Sequence, residues 1–441
     1  MDDYRQRKES FVSNLNGTTL YETGAMMINI CTTYFLYQIL QSSFSKSRTW
    51  NYFSEYIIVV IPLIFATTAL SSFNHLLHFI LCGISLLIYL IRNPSSSSER
   101  QSSHPNSSYS RILEVFRGQM FIVTCICILA VDFPIFPRRY AKTENYGYST
   151  MDLGVGLFAM AHGMVSSEAR DKQTKIKDLF LENFILLLLG VIRLLSIKYF
   201  SYVEHVSEYG VHWNFFLTLC FMKLFASCLL FITKNVPLSI AVSLVFHQMF
   251  LLHYLQFDTY LINSNQTRIG FIEANREGIF SLSGYVCLYL IGVYMGKYVI
   301  RNEREQCFKN IIFKFTIASV ILCAISYNSS RKLCNFGYIT STTGLACMTL
   351  AGFGVTQWLL VRKGYSTESA LLKSVNQKGL DVFLLGNVLT GMINLNINTI
   401  DTPDFLALSI LIIYTIIITS SAYFLPSIIK LLMKYVNLSK H

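Results

Sequence analysis

Long uninterrupted blocks of apolar residues, separated by shorter polar stretches, set the pattern along the chain. A membrane-spanning helix needs about 20 apolar residues, roughly 17–25. That rule predicts spans near 21–41, 55–72, 74–91, 118–133, 150–167, 179–197, 213–233, 238–256, 280–300, 311–328, 338–361, 380–399 and 404–425. The expectation is an all-α polytopic membrane protein with about 13 transmembrane helices in one bundle. A membrane barrel would need short alternating segments, and the apolar runs here are continuous. The N-terminus, MDDYRQRKES, is polar and has no signal-peptide core, so the first apolar run is expected to act as both signal and anchor. No repeat with a solenoid-like period is present. Residues 1–441 therefore read as a single multi-span domain, with a flexible serine-rich cytosolic loop at 92–116.

Composition supports the same class. Of the 441 residues, 53% are hydrophobic and only 14% charged, and mean hydropathy is +0.45. An ordinary soluble domain carries about 25% charged residues. A soluble globular enzyme, a disordered chain and a disulfide-stapled secreted domain are excluded. The net charge of +11 sits in loops between apolar runs, so membrane lipids are its expected counter-ions and nucleic acid is not an expected partner. The eleven cysteines fall mostly inside apolar runs and show no metal or disulfide spacing. With a lumenal N-terminus and a cytosolic C-terminus, Lys and Arg favour the cytosolic loops by roughly two to one, as the positive-inside rule requires. Three glycosylation sequons, at Asn16, Asn265 and Asn328, then fall on the lumenal side, whereas those at Asn106 and Asn437 do not.

Charged and polar residues near apolar segments are costly and mark candidate sites. The densest stretch follows the fourth span. Asp132 ends the apolar run, Pro134 and Pro137 break the helix, and Arg138, Arg139 and Lys142 come at once. A carboxylate with three cations on a stiff loop suits catalysis or anion binding; an interfacial ion pair with snorkelling arginines fits the spacing too. Ser149 and Asp152 have capping-box spacing for the fifth span, Gly154 and Gly156 suit close helix packing, and His162 suits either a ligand or a neighbouring helix.

A second cluster precedes the seventh span. If it is helical, His205, Glu208 and His212 share one face, beside Trp213 and Asn214. Two imidazoles and a carboxylate could hold a sugar or a metal, although no third strong ligand is placed; an interfacial belt with Trp213 at head-group level is the alternative. Further candidates are the lumenal Glu273–Ser281 stretch, and a face of span twelve carrying Asn387, Thr390, Asn394 and Asn398. There is no Walker loop, no GxSxG and no zinc motif, and no metal is expected.

Taken together, FVSNLNGT at 11–18, FPRRYAKTE at 136–144, MDLGVG at 151–156, EYGVHWNFF at 208–216, ANREGI at 274–279 and NVLTG at 387–391 resemble the inositol acyltransferase family of GPI-anchor biosynthesis. The resemblance runs from residue 11 to about 400. It implies a multi-pass enzyme of the endoplasmic reticulum membrane. Such an enzyme moves a fatty acyl group, usually palmitoyl, from acyl-CoA to the inositol 2-hydroxyl of glucosaminyl-phosphatidylinositol, with no cofactor beyond acyl-CoA as co-substrate. The family's proposed catalytic aspartate and lysine map onto Asp132 and Lys142. Arg138, Arg139, Asp152, His205, Glu208, His212 and Asn214 are the expected substrate-binding residues around them. The cytosolic run Arg170, Lys172, Lys175 and Lys177 suits CoA phosphates or simple topology. A different membrane acyltransferase, or a transporter using Asp132 and Lys142 as a coupling pair, are the rival readings.

Overall fold

The computed structural model describes residues 2–13, 15–44, 47–92, 108–171, 176–200, 208–262, 268–300 and 308–438. Its helices, in chain order, are α1 (Asp2–Val12), α2 (Leu20–Leu40), α3 (Arg48–Glu55), α4 (Ile61–Thr67), α5 (Asn74–Ile91), α6 (Ser108–Ala130), α7 (Thr150–Met164), α8 (Ile176–Phe200), α9 (Phe215–Thr233), α10 (Val236–Val245), α11 (Phe257–Ile262), α12 (Phe271–Ala274), α13 (Arg276–Tyr294), α14 (Phe308–Ala324), α15 (Phe336–Lys363), α16 (Ala370–Gln377), α17 (Gly379–Asn396) and α18 (Asp404–Leu438). Among the described residues the only β-type pairing is the isolated antiparallel bridge Thr18–Tyr148. Turns of π-helix at Tyr56–Val60, Phe246–Tyr254 and Met295–Ile300 continue α3, α10 and α13.

The protein is all-α and polytopic. Every predicted apolar run coincides with a helical stretch, and nine of these stretches, among the described residues, are long and apolar enough to cross a bilayer. Several helices extend past the apolar run that announced them. The clearest case is α6, which begins at Ser108 although the flexible loop was expected to reach residue 116. Residues 93–107 of that loop lie outside the described residues. The helix starts early because Ile112, Leu113, Val115 and Phe116 present a buried apolar face at helical spacing, and Arg111 is held by Thr367 and Glu368. In contrast, α7 has only 15 residues, about 22 Å of helix.

The chain divides into two compact units. One comprises Met1–Leu20, Ala141–Glu303 and Ile317–Cys347; the other comprises Tyr21–Tyr140, Arg304–Thr316 and Met348–His441. In the first, α13 is the central helix, with α7, α9 and α10 packed on it. Glycines let α7 and α13 approach closely: a Cβ on Gly163 would lie 2.1 Å from the Tyr289 carbonyl oxygen, and one on Gly292 would lie 2.1 Å from that of Met160. In the second, α6 packs on α16, α17 and α18. Tyrosine–threonine hydrogen bonds add to this packing, from Tyr52 to Thr419 at 2.9 Å and from Tyr56 to Thr415 at 2.7 Å. The apolar windows of α6 and α13 are 78% and 72% buried inside the protein, whereas those of α5 and α8 are 17% and 18% buried. Large apolar side chains such as Phe79, Leu87, Phe184 and Leu195 therefore face outward, as lipid-facing helices require.

Candidate functional site

The Asp132 region is built by a helix that cannot continue. Pro134 and Pro137 lack the N–H that the helical ladder needs. After Ala130 the backbone tightens into successive turns: the Asp132 N–H donates to Leu129 O at 3.2 Å, Phe133 to Ala130 at 3.0 Å, and Phe136 to Phe133 at 3.2 Å. Phe133 and Phe136 are fully buried and pin this turn. The Arg138 guanidinium folds back over it. Its Nη2 donates to the carbonyls of Val131 and Phe136, both at 2.9 Å, and its Nε donates to Phe136 O at 3.2 Å. Burial lowers the Arg138 pKa to about 10, and the nearby Asp132 charge works against that shift.

Asp132 itself is buried, and its Oδ2 accepts a 2.8 Å hydrogen bond from Asn394 Nδ2 on α17. Asn394 also donates to the Thr390 carbonyl at 3.1 Å. The other amides of that face do different work. Asn387 donates to Phe383 O, one turn back on its own helix, and Asn398 lies beyond the end of α17. Arg139 is turned to another acid, its Nε lying 2.8 Å from Glu22 Oε1. Tyr140, fully buried, donates to the same oxygen at 2.9 Å.

Lys142 belongs to the other unit, because the division falls between Tyr140 and Ala141. Its Nζ pairs with Glu208 Oε2 at 2.5 Å, and both side chains are about a quarter exposed (29% and 25%). The loop that follows is fastened at several points. Glu144 N–H donates to Leu15 O at 2.9 Å, Thr18 N–H to Tyr148 O at 2.7 Å, and Gly147 N–H to Ser329 O at 2.8 Å. Gly147 has φ +137° and lies so close to Asn16 that a Cβ there would be 2.3 Å from its carbonyl oxygen, so only glycine fits.

Asp152 caps α7 in the way its spacing predicted: its backbone N–H donates to Ser149 Oγ at 3.0 Å. Its side chain does more. Oδ2 accepts from the Thr143 backbone N–H at 3.0 Å and from Thr143 Oγ1 at 2.7 Å, while Oδ1 accepts from Arg331 Nε at 2.7 Å. Both ends of the Asp152–Arg331 pair are buried. Arg331 carries no local sequence signal for this role; its partner is 179 residues away.

The second predicted cluster is rearranged. His205 lies outside the described residues. Residues 208–214 form turns rather than a helix, so Glu208 and His212 do not share a helical face. Gly210, with φ +113° and the Ala274–Asn275 backbone against it, breaks the helical pattern there. The exposed His212 donates its backbone N–H to Asn275 Oδ1 at 2.7 Å. Trp213 is not an exposed belt residue: it is buried with Tyr209 and Leu217, and its Nε1 donates to Thr218 Oγ1 at 2.9 Å. Asn214 is the N-cap of α9, accepting from the N–H groups of Phe216 and Leu217, and its Nδ2 donates to Gly190 O at 2.9 Å. In the Glu273–Ser281 stretch, fully buried Glu277 holds Arg268 at 2.7 Å and Arg276 at 3.4 Å.

Comparison with known proteins covers nearly the whole chain. The family model described as GWT1 matches residues 4–425. Among curated relatives, the "GPI-anchored wall transfer protein 1" of Emericella nidulans is 32% identical over 95% of this chain and 97% of its own length. The protein of the same name from Kluyveromyces lactis is 32% identical over 98% of each chain. That from Schizosaccharomyces pombe is 33% identical over 96% of this chain and 98% of its own.

Proposed function

The chain belongs to the GWT1 family, and on that footing we propose that it is an O-acyltransferase of GPI-anchor biosynthesis in the endoplasmic reticulum membrane. It transfers a fatty acyl group, palmitoyl by preference, from acyl-CoA to the inositol 2-hydroxyl of glucosaminyl-phosphatidylinositol. The chain is multi-pass, with a lumenal N-terminus and a cytosolic C-terminus.

An inositol hydroxyl is a weak nucleophile at neutral pH. The Asp132 carboxylate takes its proton as the oxygen attacks the thioester carbon. The tetrahedral intermediate carries an oxyanion, which the Lys142 ammonium stabilises; the same cation suits the substrate phosphodiester. Collapse breaks the carbon–sulfur bond, and the CoA thiolate leaves, receiving the proton held by Asp132 or one from water. A thiolate departs readily, so one acid and one amine suffice and no acyl-enzyme is needed.

The observation that carries this reading is Asp132 itself: a buried carboxylate at the end of an apolar helix, aimed by Asn394. Arg139, His205 and His212 are proposed as head-group-binding residues. Arg138, Asp152 and Asn214 are proposed to have supporting roles, since their polar atoms hold the turn after α6, the Lys142 loop and the start of α9.

The experiment is acyl transfer by the purified full chain with labelled palmitoyl-CoA and glucosaminyl-phosphatidylinositol. Asp132→Asn is expected to abolish transfer while acyl-CoA still binds. Lys142→Ala is expected to lower turnover far more than Lys234→Ala at an exposed helix end. Unchanged turnover in Asp132→Asn would remove Asp132 from the chemistry.

A further inference from the structure

A lysine side chain is a mobile four-carbon stem with a point charge at its tip. To stabilise charge that develops only in the transition state, it must be held before the reaction begins. The surroundings of Lys142 supply that hold from two directions. At the tip, Glu208 Oε2 sits 2.5 Å from Nζ. At the base, the next residue is clamped through both its backbone and its side chain, because Thr143 N–H and Thr143 Oγ1 converge on one oxygen of Asp152. The other oxygen of that carboxylate is taken by Arg331 Nε at 2.7 Å.

Two ion pairs thus bracket Thr143, Lys142–Glu208 and Arg331–Asp152. Burial opposes the Arg331 charge, but Asp152 and then Glu208 overcome it and hold the guanidinium protonated. The Asp152 backbone is fixed as well, its carbonyl accepting from Tyr338 OH at 2.7 Å. The loop carrying Arg331 also grips the far end of the Lys142 loop: Gly147 N–H donates to Ser329 O at 2.8 Å, and Lys332 Nζ to Asn145 Oδ1 at 3.3 Å. A buried ion pair is poor evidence of stabilisation, since apolar replacements are often neutral or better. What it supplies is direction.

We infer that Arg331, acting through Asp152 and Thr143, and Glu208, acting directly, are the positioning residues that aim the Lys142 ammonium. On this inference Glu208 and Asp152 orient the amine rather than contact the sugar head group. It rests on the role proposed above for Lys142.

The test uses the purified full chain and two independent readouts. One is steady-state acyl transfer, with kcat and KM for palmitoyl-CoA and for the glycolipid. The other is trace acetylation of lysines by acetic anhydride, read by mass spectrometry, with Lys234 as internal reference. For Arg331→Lys, kcat is expected to fall about tenfold or more, each KM to stay within about threefold, and Lys142 labelling to rise severalfold. For Thr143→Val, which keeps the backbone N–H, kcat is expected to fall about threefold to tenfold. Glu208→Gln is expected to raise Lys142 labelling severalfold and to lower kcat while leaving the glycolipid KM within threefold.

Wild-type kcat and wild-type Lys142 labelling in Arg331→Lys and Thr143→Val would overturn the inference. A large rise in glycolipid KM at constant kcat in Glu208→Gln would return Glu208 to head-group binding. Should Arg331→Lys fail to fold, Thr143→Val and Glu208→Gln decide alone. Failure of the underlying reading looks different: Lys142→Ala would then retain full turnover, while the labelling pattern would still report whether the amine is held.

Discussion

Asn394 Nδ2 lies 2.8 Å from Asp132 Oδ2, so an amide on α17 fixes the one carboxylate that ends α6. In the general-base role proposed for it, Asp132 must present a particular lone pair to the proton it takes, and the Asn394 donor helps set that orientation. A hydrogen bond to a charged group is worth about 1.5–3 kcal/mol. Asn394→Ala is therefore expected to lower kcat about tenfold to a hundredfold with KM changed little. Asn394→Asp, which sets a second carboxylate beside the first, is expected to lower it further. Steady-state acyl transfer by the two purified variants checks this, and equal activity in both would detach Asn394 from the chemistry.

Arg139 and Tyr140 share the acid Glu22, and the two contacts are predicted to differ in worth. The Arg139–Glu22 pair is 35% and 19% exposed, so Arg139→Ala should cost only about 0.2–1 kcal/mol. The Tyr140 hydroxyl is buried, donates to Glu22 at 2.9 Å and accepts from Asn74 Nδ2 at 3.1 Å. Tyr140→Phe strips these contacts and the one to the Ser71 carbonyl at 3.3 Å, and should cost about 1–3 kcal/mol. Thermal unfolding of the detergent-solubilised variants should rank Tyr140→Phe as the less stable.

Helix packing yields a prediction of opposite signs. An alanine at Gly163 or Gly292 would drive its Cβ to 2.1 Å from a backbone carbonyl oxygen of the facing helix. Backbone cannot yield as a side chain can, so each variant should lose stability at or beyond the upper end of about 1–3 kcal/mol. Gly391 in α17 has nothing within 4 Å of a built Cβ. Gly391→Ala should be neutral, or stabilising by up to about 1 kcal/mol through helix propensity. Yield of folded protein after solubilisation separates these outcomes.

Glu168, just beyond α7, gives a prediction in pH. Burial pushes its carboxyl up, but hydrogen bonds from the local backbone, Ser227 and Ser166, with the Lys223 ammonium, outweigh this and hold it below the ordinary value. A carboxylate depressed in the folded state contributes stability above its unfolded pKa and loses it as pH falls through the folded value. The stability difference between wild type and Glu168→Gln should thus be constant near neutrality. It should shrink as pH drops below about 4.3, the ordinary glutamate value. A difference that grows on acidification would reverse the assignment.

The parts of the site differ in how far they could be read from local sequence. The place of Asp132 at a helix-breaking turn was legible because a carboxylate at the end of an apolar run, followed by two prolines, is costly and helix-breaking whatever surrounds it. The Ser149–Asp152 cap was legible because both partners lie within one turn. The helical face assumed for His205, Glu208 and His212 was not secure. Helical periodicity presumes a helix, and Gly210 with its positive φ turns the chain there. Trp213 suits a membrane interface by composition, yet its partner Thr218 and its neighbours Tyr209 and Leu217 bury it.

Block length and composition alone determined that this chain is an all-helical protein of the membrane. Apolar runs of bilayer length belong in lipid, which offers no hydrogen-bond partner, so each run must satisfy its own backbone within a helix, and that constraint is local. Which side chains meet was decided by the tertiary structure. Asn394 reaches Asp132 across 262 residues, Arg331 reaches Asp152 across 179, and Glu208 reaches Lys142 across 66. Any of many amides, arginines and acids would satisfy those partners on paper. A hydrogen bond needs an atom within about 3 Å at the right angle, and only the packing of helices distant in sequence selects which one arrives.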